Sequence, residues 1–219
     1  VDEVVLDTID TQVGSAGSSS ASRQTWMSGG AVDAACRAAR DVLFAQIASE
    51  HGVDASRLAV DGTDIVDTAG SFRRSAVSLM QGRRIDETRE YHHQPTEDLD
   101  ENGQGNCHVA FAFVAHRAVV DVDVDLGLVK VVQVATAQDV GRVLNPMSCV
   151  GQVEGGIAQG LGLAVMEEIV VKDGKVRNPS FTDYLLPTFL DAPSVDVVFV
   201  EEFEPKSPLG AKGVGEPPC

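Results

Sequence analysis

Basic residues are scarce in this sequence, and their scarcity excludes two classes of partner. The 219 residues include 17 Lys and Arg against 33 Asp and Glu, which gives a net charge of −16. Binding to a nucleic-acid backbone or to an anionic membrane surface needs a basic face. The composition therefore predicts a chain with no nucleic-acid partner and no membrane partner.

Cysteines and long apolar runs are also few. The four cysteines lie far apart, with no CxxC pair and no Cys/His cluster, so this chain alone is not expected to hold zinc or an iron–sulfur cluster. Isolated thiols are typical of a reducing compartment, and we predict a cytoplasmic protein. No apolar run reaches the roughly 18 residues that a membrane-spanning helix needs. The cysteines are Cys36, Cys107, Cys149 and Cys219.

Both ends of the sequence suggest a piece of a longer polypeptide. Residues 1–9 have the β-branched pattern of a strand, with no residues leading into it. Residues 216–219 end the sequence on a loop rich in proline, with no element after it. Natural domains usually have slack or a docking element at one end, so we expect a fragment of a larger subunit.

A helix and short strands are predicted in the first half of the chain. Apolar residues at helical spacing predict a helix from near residue 27 to about residue 49. Residues 56–67 are predicted to form two strands around an Asp-Gly turn, and residues 75–81 a short helical turn. The polar segment 82–106 has almost no apolar anchors, which predicts a long loop.

The second half has a more regular pattern. Residues 108–124 and 128–136 alternate as two long strands, and residues 138–166 change from a Gly-rich stretch to helical periodicity. A hairpin is predicted around residues 172–175 and a further strand over residues 195–202. The alternation of hairpins with long helices predicts an α+β fold and not a doubly wound parallel sheet.

These elements predict one domain over residues 1–219, built from two β-hairpin-and-helix lobes. The first lobe spans about residues 1–81 and the second about residues 107–219. The polar segment 82–106 is expected to cross between them, as long loops of this kind often carry function.

Three glycine-rich segments are candidates for binding a large phosphorylated cofactor. Residues 14–24, 138–156 and 210–218 each combine flexible backbone with a few polar side chains. Backbone N–H groups that converge before a helix bind anions, although the first segment alone also fits a flexible linker. None of the three has the Walker A or the GxGxxG pattern, so ATP and NAD are poorly supported.

Particular side chains in these segments suit ligand binding. Arg23 can bind a phosphate group through two donors, and Ser22 and Gln24 can add short hydrogen bonds. Gln152 can both donate and accept. Elsewhere, the adjacent histidines at 92 and 93 have no third ligand nearby in sequence, which favours a surface pair over a metal site.

Glu216 is a candidate general base. It is a single carboxylate in a loop that glycines bring close to a ligand and prolines stiffen, with Lys212 four residues before it. A carboxylate held beside a reacting atom can take a proton from it. The alternative is a solvent-exposed glutamate in a terminal loop.

Taken together, these segments resemble the molybdenum-binding large subunit of the xanthine dehydrogenase and aldehyde oxidase family. The likeness covers nearly the whole chain and follows the order of the family's motifs, which implies the C-terminal part of that subunit. The motifs are ASRQ at residues 21–24, QDVGRVLNP at 138–146, GQVEGGIAQGLG at 151–162, SFTDYLLPT at 180–188 and PLGAKGVGEPP at 208–218.

The resemblance implies a role for each candidate residue. It makes Glu216 the active-site base beside the metal, and it assigns no metal ligand to this chain. The cofactor is molybdopterin, in a mononucleotide or dinucleotide form that the sequence leaves open. 2Fe-2S clusters and FAD are expected on other domains or subunits. The implied cofactor-binding residues are Ala21, Ser22, Arg23, Gln24, Asp139 and Gln152.

By the same resemblance, the expected function is part of a molybdenum hydroxylase that oxidises a purine, xanthine or hypoxanthine. The family's reaction is attack of Mo–OH on an electron-poor C–H carbon with hydride transfer to Mo=S. The alternatives are an aldehyde, carbon monoxide or aromatic-substrate member, or a catalytically inert module. Expected partners are the iron–sulfur and FAD subunits or domains, the N-terminal part of the large subunit, and further copies in an oligomer. The isolated chain is expected to be inactive.

Overall fold

A long helix and a small sheet form the first half of the computed structural model, which describes residues 4–8, 10–12 and 14–219. The helix α1 (Gln24–His51) ends at Gly52, whose left-handed φ of 65° suits a residue without a side chain. An antiparallel sheet in the order β1-β2-β3 follows, with the short helix α2 after it. Their bounds are β1 (Leu58–Asp61), β2 (Asp64–Asp67), β3 (Arg73–Ser75) and α2 (Ala76–Met80).

The predicted helix, hairpin and helical turn of this half are confirmed. Their apolar positions meet in one core, because the last turns of α1 lie over the sheet. Burying side chains of this size stabilises the fold by about 1.5–3 kcal/mol each. The buried members of this core are Phe44, Ile47, Leu58, Ile65 and Leu79.

A second, mixed sheet and a second helix form the other half. Strands β4 (Val114–Asp123) and β5 (Leu128–Asp139) are antiparallel, and β8 (Ser194–Val200) pairs with β5 in parallel. The helix α3 (Pro146–Val165) begins at its N-cap Asn145, whose side-chain oxygen accepts a hydrogen bond from the backbone N–H of Ser148.

The second half has its own core, formed between the mixed sheet, α3 and the C-terminal loop. A two-stranded hairpin, β6 (Val171–Lys172) and β7 (Lys175–Val176), lies beyond α3 where the sequence predicts it. The α+β fold is therefore confirmed, and the division into lobes at residues 82–106 stays a prediction. The buried members of this second core are Val134, Val140, Val153, Ile157 and Val214.

Two strand predictions are wrong in their extent. Residues 4–8 form no strand, and Leu6 is 91% exposed. Residues 108–113 are irregular, because β5 ends one residue beyond the partner of Val114 and its last N–H, that of Asp139, reaches only the carbonyl of Phe113. Both segments have suitable side chains, but a strand forms only where a neighbouring strand accepts its backbone hydrogen bonds.

The polar segment 82–106 contains neither helix nor strand, as predicted. Within the described ranges, no helix combines the length and hydropathy that crossing a bilayer requires.

Candidate functional site

The three glycine-rich segments meet at one place between α1 and α3. The carbonyl oxygen of Ala21 accepts hydrogen bonds from the backbone N–H groups of Val214 at 3.1 Å and Gly215 at 3.2 Å. The backbone N–H of Lys212 donates to the carbonyl of Val140 at 2.9 Å. The loop of residues 210–216, which we call the base loop, is therefore held by both of the other segments.

The turn before α1 has a strained backbone, and it lies very close to two glycines of the base loop. Ala21 and Ser22 have φ values of 57° and 51°, in the left-handed region that residues other than glycine avoid. A side chain at Gly213 would lie 2.9 Å from the Ala21 carbonyl oxygen, and one at Gly215 would contact the Ser22 hydroxyl. Glycine at 213 therefore lets the base loop approach the Ala21 backbone, and glycine at 215 leaves room for the Ser22 side chain.

This turn separates two clefts. The larger, which we call the base cleft, has a volume of about 720 Å³ and is lined by Arg23 and Glu216 together with residues of the 82–112 region. The smaller, which we call the helix cleft, has a volume of about 210 Å³ and lies at the start of α3, where Ser22 and Gln152 line it. The predicted cofactor residues are thus divided between two neighbouring spaces.

Arg23 has an unsatisfied donor in the base cleft. Its Nε atom is buried and has no hydrogen-bond partner among the described residues. A buried donor without an acceptor costs about 1–3 kcal/mol, so structures rarely keep one unless a ligand supplies the acceptor. Arg23 therefore fits an anionic or carbonyl-bearing group in this cleft.

Glu216 presents a free carboxylate to the same cleft. The residue is exposed, and its carboxylate has no hydrogen bond or ion pair with any described residue. Its backbone is nevertheless fixed, because Pro218 is fully buried and a side chain at Gly156 of α3 would lie 2.8 Å from it. A free carboxylate on a fixed backbone can act as a proton acceptor.

In the helix cleft, the Ser22 hydroxyl donates to the side-chain oxygen of Gln152. This bond joins the turn before α1 to the second turn of α3 and leaves the Gln152 amide nitrogen free to donate. Cys149 lines the same cleft, and burial raises the pKa of its thiol above the usual range. The thiol is therefore neutral at physiological pH.

Two predicted cofactor residues have partners within the protein. Asp139 forms a buried ion pair with Lys212, at 2.6 Å between Oδ2 and Nζ. Gln24 donates to the carbonyl of Ser18 at 2.9 Å and accepts from the Ser28 hydroxyl. The other predicted site residues, Ala21, Ser22, Arg23, Gln152 and Glu216, line the clefts. Contact with a cofactor stays a prediction for all of them.

One wall of the base cleft was not foreseen from the sequence. The Tyr91 hydroxyl accepts from the Trp26 indole N–H at 3.0 Å, and the Tyr91 ring fills the space where Gly30 has no side chain. Lys206 Nζ donates to the carbonyl of Val109 at 2.8 Å. These contacts hold Tyr91 of the polar segment against α1, and Val109 against the region before the base loop. The signal available in the sequence was a single tyrosine within a polar run.

The two adjacent histidines differ in their surroundings. The His92 side chain is 85% exposed, while His93 lines the base cleft. Across the described ranges, no group of three or more His, Cys, Asp or Glu side chains is placed to hold a metal ion.

Comparison with known proteins identifies relatives of this arrangement. Residues 1–193 match the model of the molybdopterin cofactor-binding domain. The chain is 45% identical over 103 residues to a putative xanthine dehydrogenase molybdenum-binding subunit of Escherichia coli K12, covering 45% of this chain and 14% of that protein. It is 30% identical over 204 residues to the gamma subunit of the 6-hydroxypseudooxynicotine dehydrogenase complex of Paenarthrobacter nicotinovorans, covering 89% of this chain and 25% of that subunit.

The fold also matches solved structures. Reconstituted CO dehydrogenase from Oligotropha carboxidovorans superimposes with a TM-score of 0.72 and 25% identity, over 90% of this chain and 24% of that one. The chain thus spans about a quarter or less of the length of the relatives it matches.

Proposed function

Because the chain belongs to the molybdopterin cofactor-binding domain family, we propose that it forms one wall of the cofactor site of a molybdenum hydroxylase and supplies the catalytic base. The observation that carries the proposal is the base cleft, which is lined both by Arg23, whose buried Nε has no partner among the described residues, and by Glu216, whose carboxylate has none there either. One group binds an acceptor and the other takes a proton, which is the pair of tasks that such a site needs.

The residues of both clefts fit a pterin cofactor. Arg23 Nε would donate to a phosphate or carbonyl oxygen of the group, and the free amide nitrogen of Gln152 would donate from the helix cleft. When bound, the cofactor supplies the redox centre that takes electrons from the substrate.

The proposed step that this chain performs is a proton transfer. A Glu216 carboxylate oxygen accepts the proton of the water-derived nucleophile as that nucleophile attacks the substrate carbon. The absence of an ion pair to Glu216 among the described residues supports the role, because the carboxylate is not held by a cation and Lys212 of the same cleft is already paired with Asp139.

For the substrate we propose a purine, xanthine or hypoxanthine. The support is the 45% identity to the putative xanthine dehydrogenase subunit. A second candidate is a nicotine derivative, because the relative named for 6-hydroxypseudooxynicotine covers 89% of the chain. Aldehyde and carbon monoxide oxidation are further alternatives within the same family, as is a catalytically inert module.

The proposed partners are iron–sulfur and FAD subunits or domains and the remainder of the large subunit, in a cytoplasmic oligomer. The support is that the relatives are themselves named as subunits of larger enzymes. The wide spacing of this chain's cysteines means that clusters would be held elsewhere.

The test is Glu216→Gln in the complete subunit purified with its partners. The amide keeps the size of the side chain and cannot take the proton, so we expect kcat on xanthine to fall at least about 100-fold, roughly 3 kcal/mol of barrier. Molybdenum content should stay near that of the unmodified enzyme. Glu216→Asp should recover little, because the shorter side chain withdraws the carboxylate.

The matched control is Glu202→Gln, which changes an exposed glutamate before the base loop. Turnover of the Glu216→Gln protein within about threefold of the unmodified enzyme, per molybdenum, would contradict the role of base. Parallel assays with an aldehyde, carbon monoxide and 6-hydroxypseudooxynicotine decide the substrate. Stoichiometric molybdenum in the isolated 219-residue chain would contradict the expectation that this chain alone is inactive.

A further inference from the structure

The buried ion pair between Lys212 and Asp139 points to a role beyond binding. We propose that these two residues are a positioning pair, which holds the base loop so that Glu216 stays at the base cleft. The inference rests on the proposed function of Glu216, and neither member of the pair is assigned any contact with the reacting atoms.

The pair is buried, and both carboxylate oxygens of Asp139 have a hydrogen-bond partner. Both side chains are 8% exposed, and Lys212 Nζ lies 2.6 Å from Asp139 Oδ2. The other carboxylate oxygen of Asp139 accepts the backbone N–H of Gly141 at 3.1 Å. Because Asp139 is the last residue of β5, its carboxylate is held at the end of a strand that contributes Val134 to the second core.

The start of the base loop is attached to the end of β5 by its backbone as well. Ala211 forms an antiparallel bridge with Gly141, and the N–H of Arg142 donates to the carbonyl of Gly210 at 2.7 Å. The Lys212 side chain therefore completes a set of contacts that runs from the strand end into the loop.

The end of the loop is attached on the opposite side, by the two hydrogen bonds to the carbonyl of Ala21. Glu216 is the next residue after these bonds. The base loop that carries it is thus held by two anchors, the Asp139–Lys212 pair on one side and the turn of Ala21 on the other.

The charge state of the pair argues against a different role for Lys212, which lines both clefts. Lysines near phosphate groups commonly act as free point charges. Here the ammonium is already neutralised by a carboxylate at hydrogen-bond distance, and removing either partner would leave a buried charge without compensation. The pair therefore acts as a unit that holds structure.

The experiment replaces both members, with Lys212→Met and Asp139→Asn together, in the complete subunit with its partners. The asparagine keeps the acceptor for Gly141, and no unpaired charge remains. Hydrogen exchange of the amides of residues 210–216 should become at least about tenfold faster, because the loop opens locally. At unchanged molybdenum content, kcat should fall about tenfold or more while KM is unchanged, as expected when a base is misplaced.

The matched control is Arg57→Met with Asp67→Asn, which removes an ion pair of the same type in the first sheet. It should leave exchange over residues 210–216 and kcat unchanged. Should the double variant fail to fold, Lys212→Arg keeps a cation beside Asp139 but changes the geometry of the contact, and it should raise exchange by about threefold.

Three outcomes would overturn the proposal. The first is a rate of amide hydrogen exchange over residues 210–216 that is the same in these variants as in the unmodified protein. The second is loss of molybdenum with unmodified exchange, which would make Lys212 a cofactor ligand. The third is equal acceleration in the control. Full turnover by Glu216→Gln would instead defeat the proposed base, and the exchange measurement would still decide whether the pair holds the loop.

Discussion

Two strands of this molecule end in an aspartate. Both aspartates accept a backbone hydrogen bond in the turn that follows, but their ion-pair partners lie at very different distances along the sequence. Asp67 ends β2 and accepts the N–H of Ala69 at 3.0 Å, as Asp139 ends β5 and accepts the N–H of Gly141 at 3.1 Å. Each carboxylate also pairs with a cation. Asp67 binds Arg57 from 10 residues away, whereas Asp139 binds Lys212 from 73 residues away.

Exposure separates the two pairs further. The Arg57 side chain is 42% exposed, while that of Lys212 is 8% exposed. The first pair closes a turn at the edge of one small sheet, and although its Asp67 side chain is buried, its arginine stays in contact with water. The second joins a strand end to a distant loop in a protected space. The comparison shows that the same turn motif stabilises a single turn beside the first sheet, whereas at the end of β5 it joins segments that are far apart in sequence.

The largest difference is expected from removing each aspartate in turn. Asp139→Ala leaves Lys212 buried without a partner, so we expect a loss of about 3–5 kcal/mol in the free energy of unfolding. Asp67→Ala leaves Arg57 able to reach water, and about 1 kcal/mol should be lost. Urea unfolding of the 219-residue chain measures both, and equal losses would break the comparison.

A smaller effect is expected on cofactor retention, and only substitutions in the base cleft and the helix cleft should cause it. Arg23→Ala removes the buried donor of the base cleft, which we expect to cost about 1–3 kcal/mol of cofactor binding. Gln152→Ala should act in the same direction. Molybdenum content of the complete subunit is the measurement.

The control for cofactor retention is Arg40→Ala, which alters an exposed arginine of α1 paired with Asp41. It should leave the molybdenum content unchanged. Full occupancy in the Arg23→Ala protein would show that the pterin does not lie against this turn.

The independence of the two cores can be tested with smaller changes still. Ile47 and Val153 are both fully buried, one in each core. Ile47→Val should cost about 1 kcal/mol, and Val153→Ala should cost about 1–2 kcal/mol. Because the two sites share no neighbours, the double variant should lose the sum to within about 0.5 kcal/mol. A larger departure would mean that the two lobes do not pack separately.

The smallest expected effect concerns thiol reactivity. Burial raises the pKa of Cys149, so less thiolate is present at a given pH, whereas Cys36 on α1 is exposed. Labelling with a thiol reagent at pH 8 should be about three- to tenfold slower at Cys149. The difference should shrink as the pH rises through the raised pKa. Equal rates at pH 8 would contradict the protected position of the helix cleft.

The sequence predicts those secondary-structure elements that depend on patterns within a short stretch of residues. The helix over residues 24–51 and the hairpin of β1 and β2 follow from the spacing of apolar residues and from an Asp-Gly turn. The strand expected at residues 1–9 is wrong over its described part, because side-chain pattern does not reveal whether a partner strand is present.

The sequence named residues that line two neighbouring clefts, but it did not predict how the clefts are arranged, and the roles of these residues stay predictions. The motifs identified Arg23, Gln152 and Glu216 through a family resemblance. No pattern indicated that a single turn would separate them into two clefts. The Asp139–Lys212 pair is equally invisible in sequence, since its members are 73 residues apart and only the completed fold brings them together.

The two hydrogen bonds to the Ala21 carbonyl have a consequence for the order of folding. They join residues from nearly opposite ends of the 219-residue chain, and contacts of such long sequence separation carry a large loop-closure cost. Each core can assemble mostly from residues synthesised together, but the loop with Glu216 emerges from the ribosome long after Ala21. We therefore expect the contact between the turn of Ala21 and the base loop to form after each core has assembled.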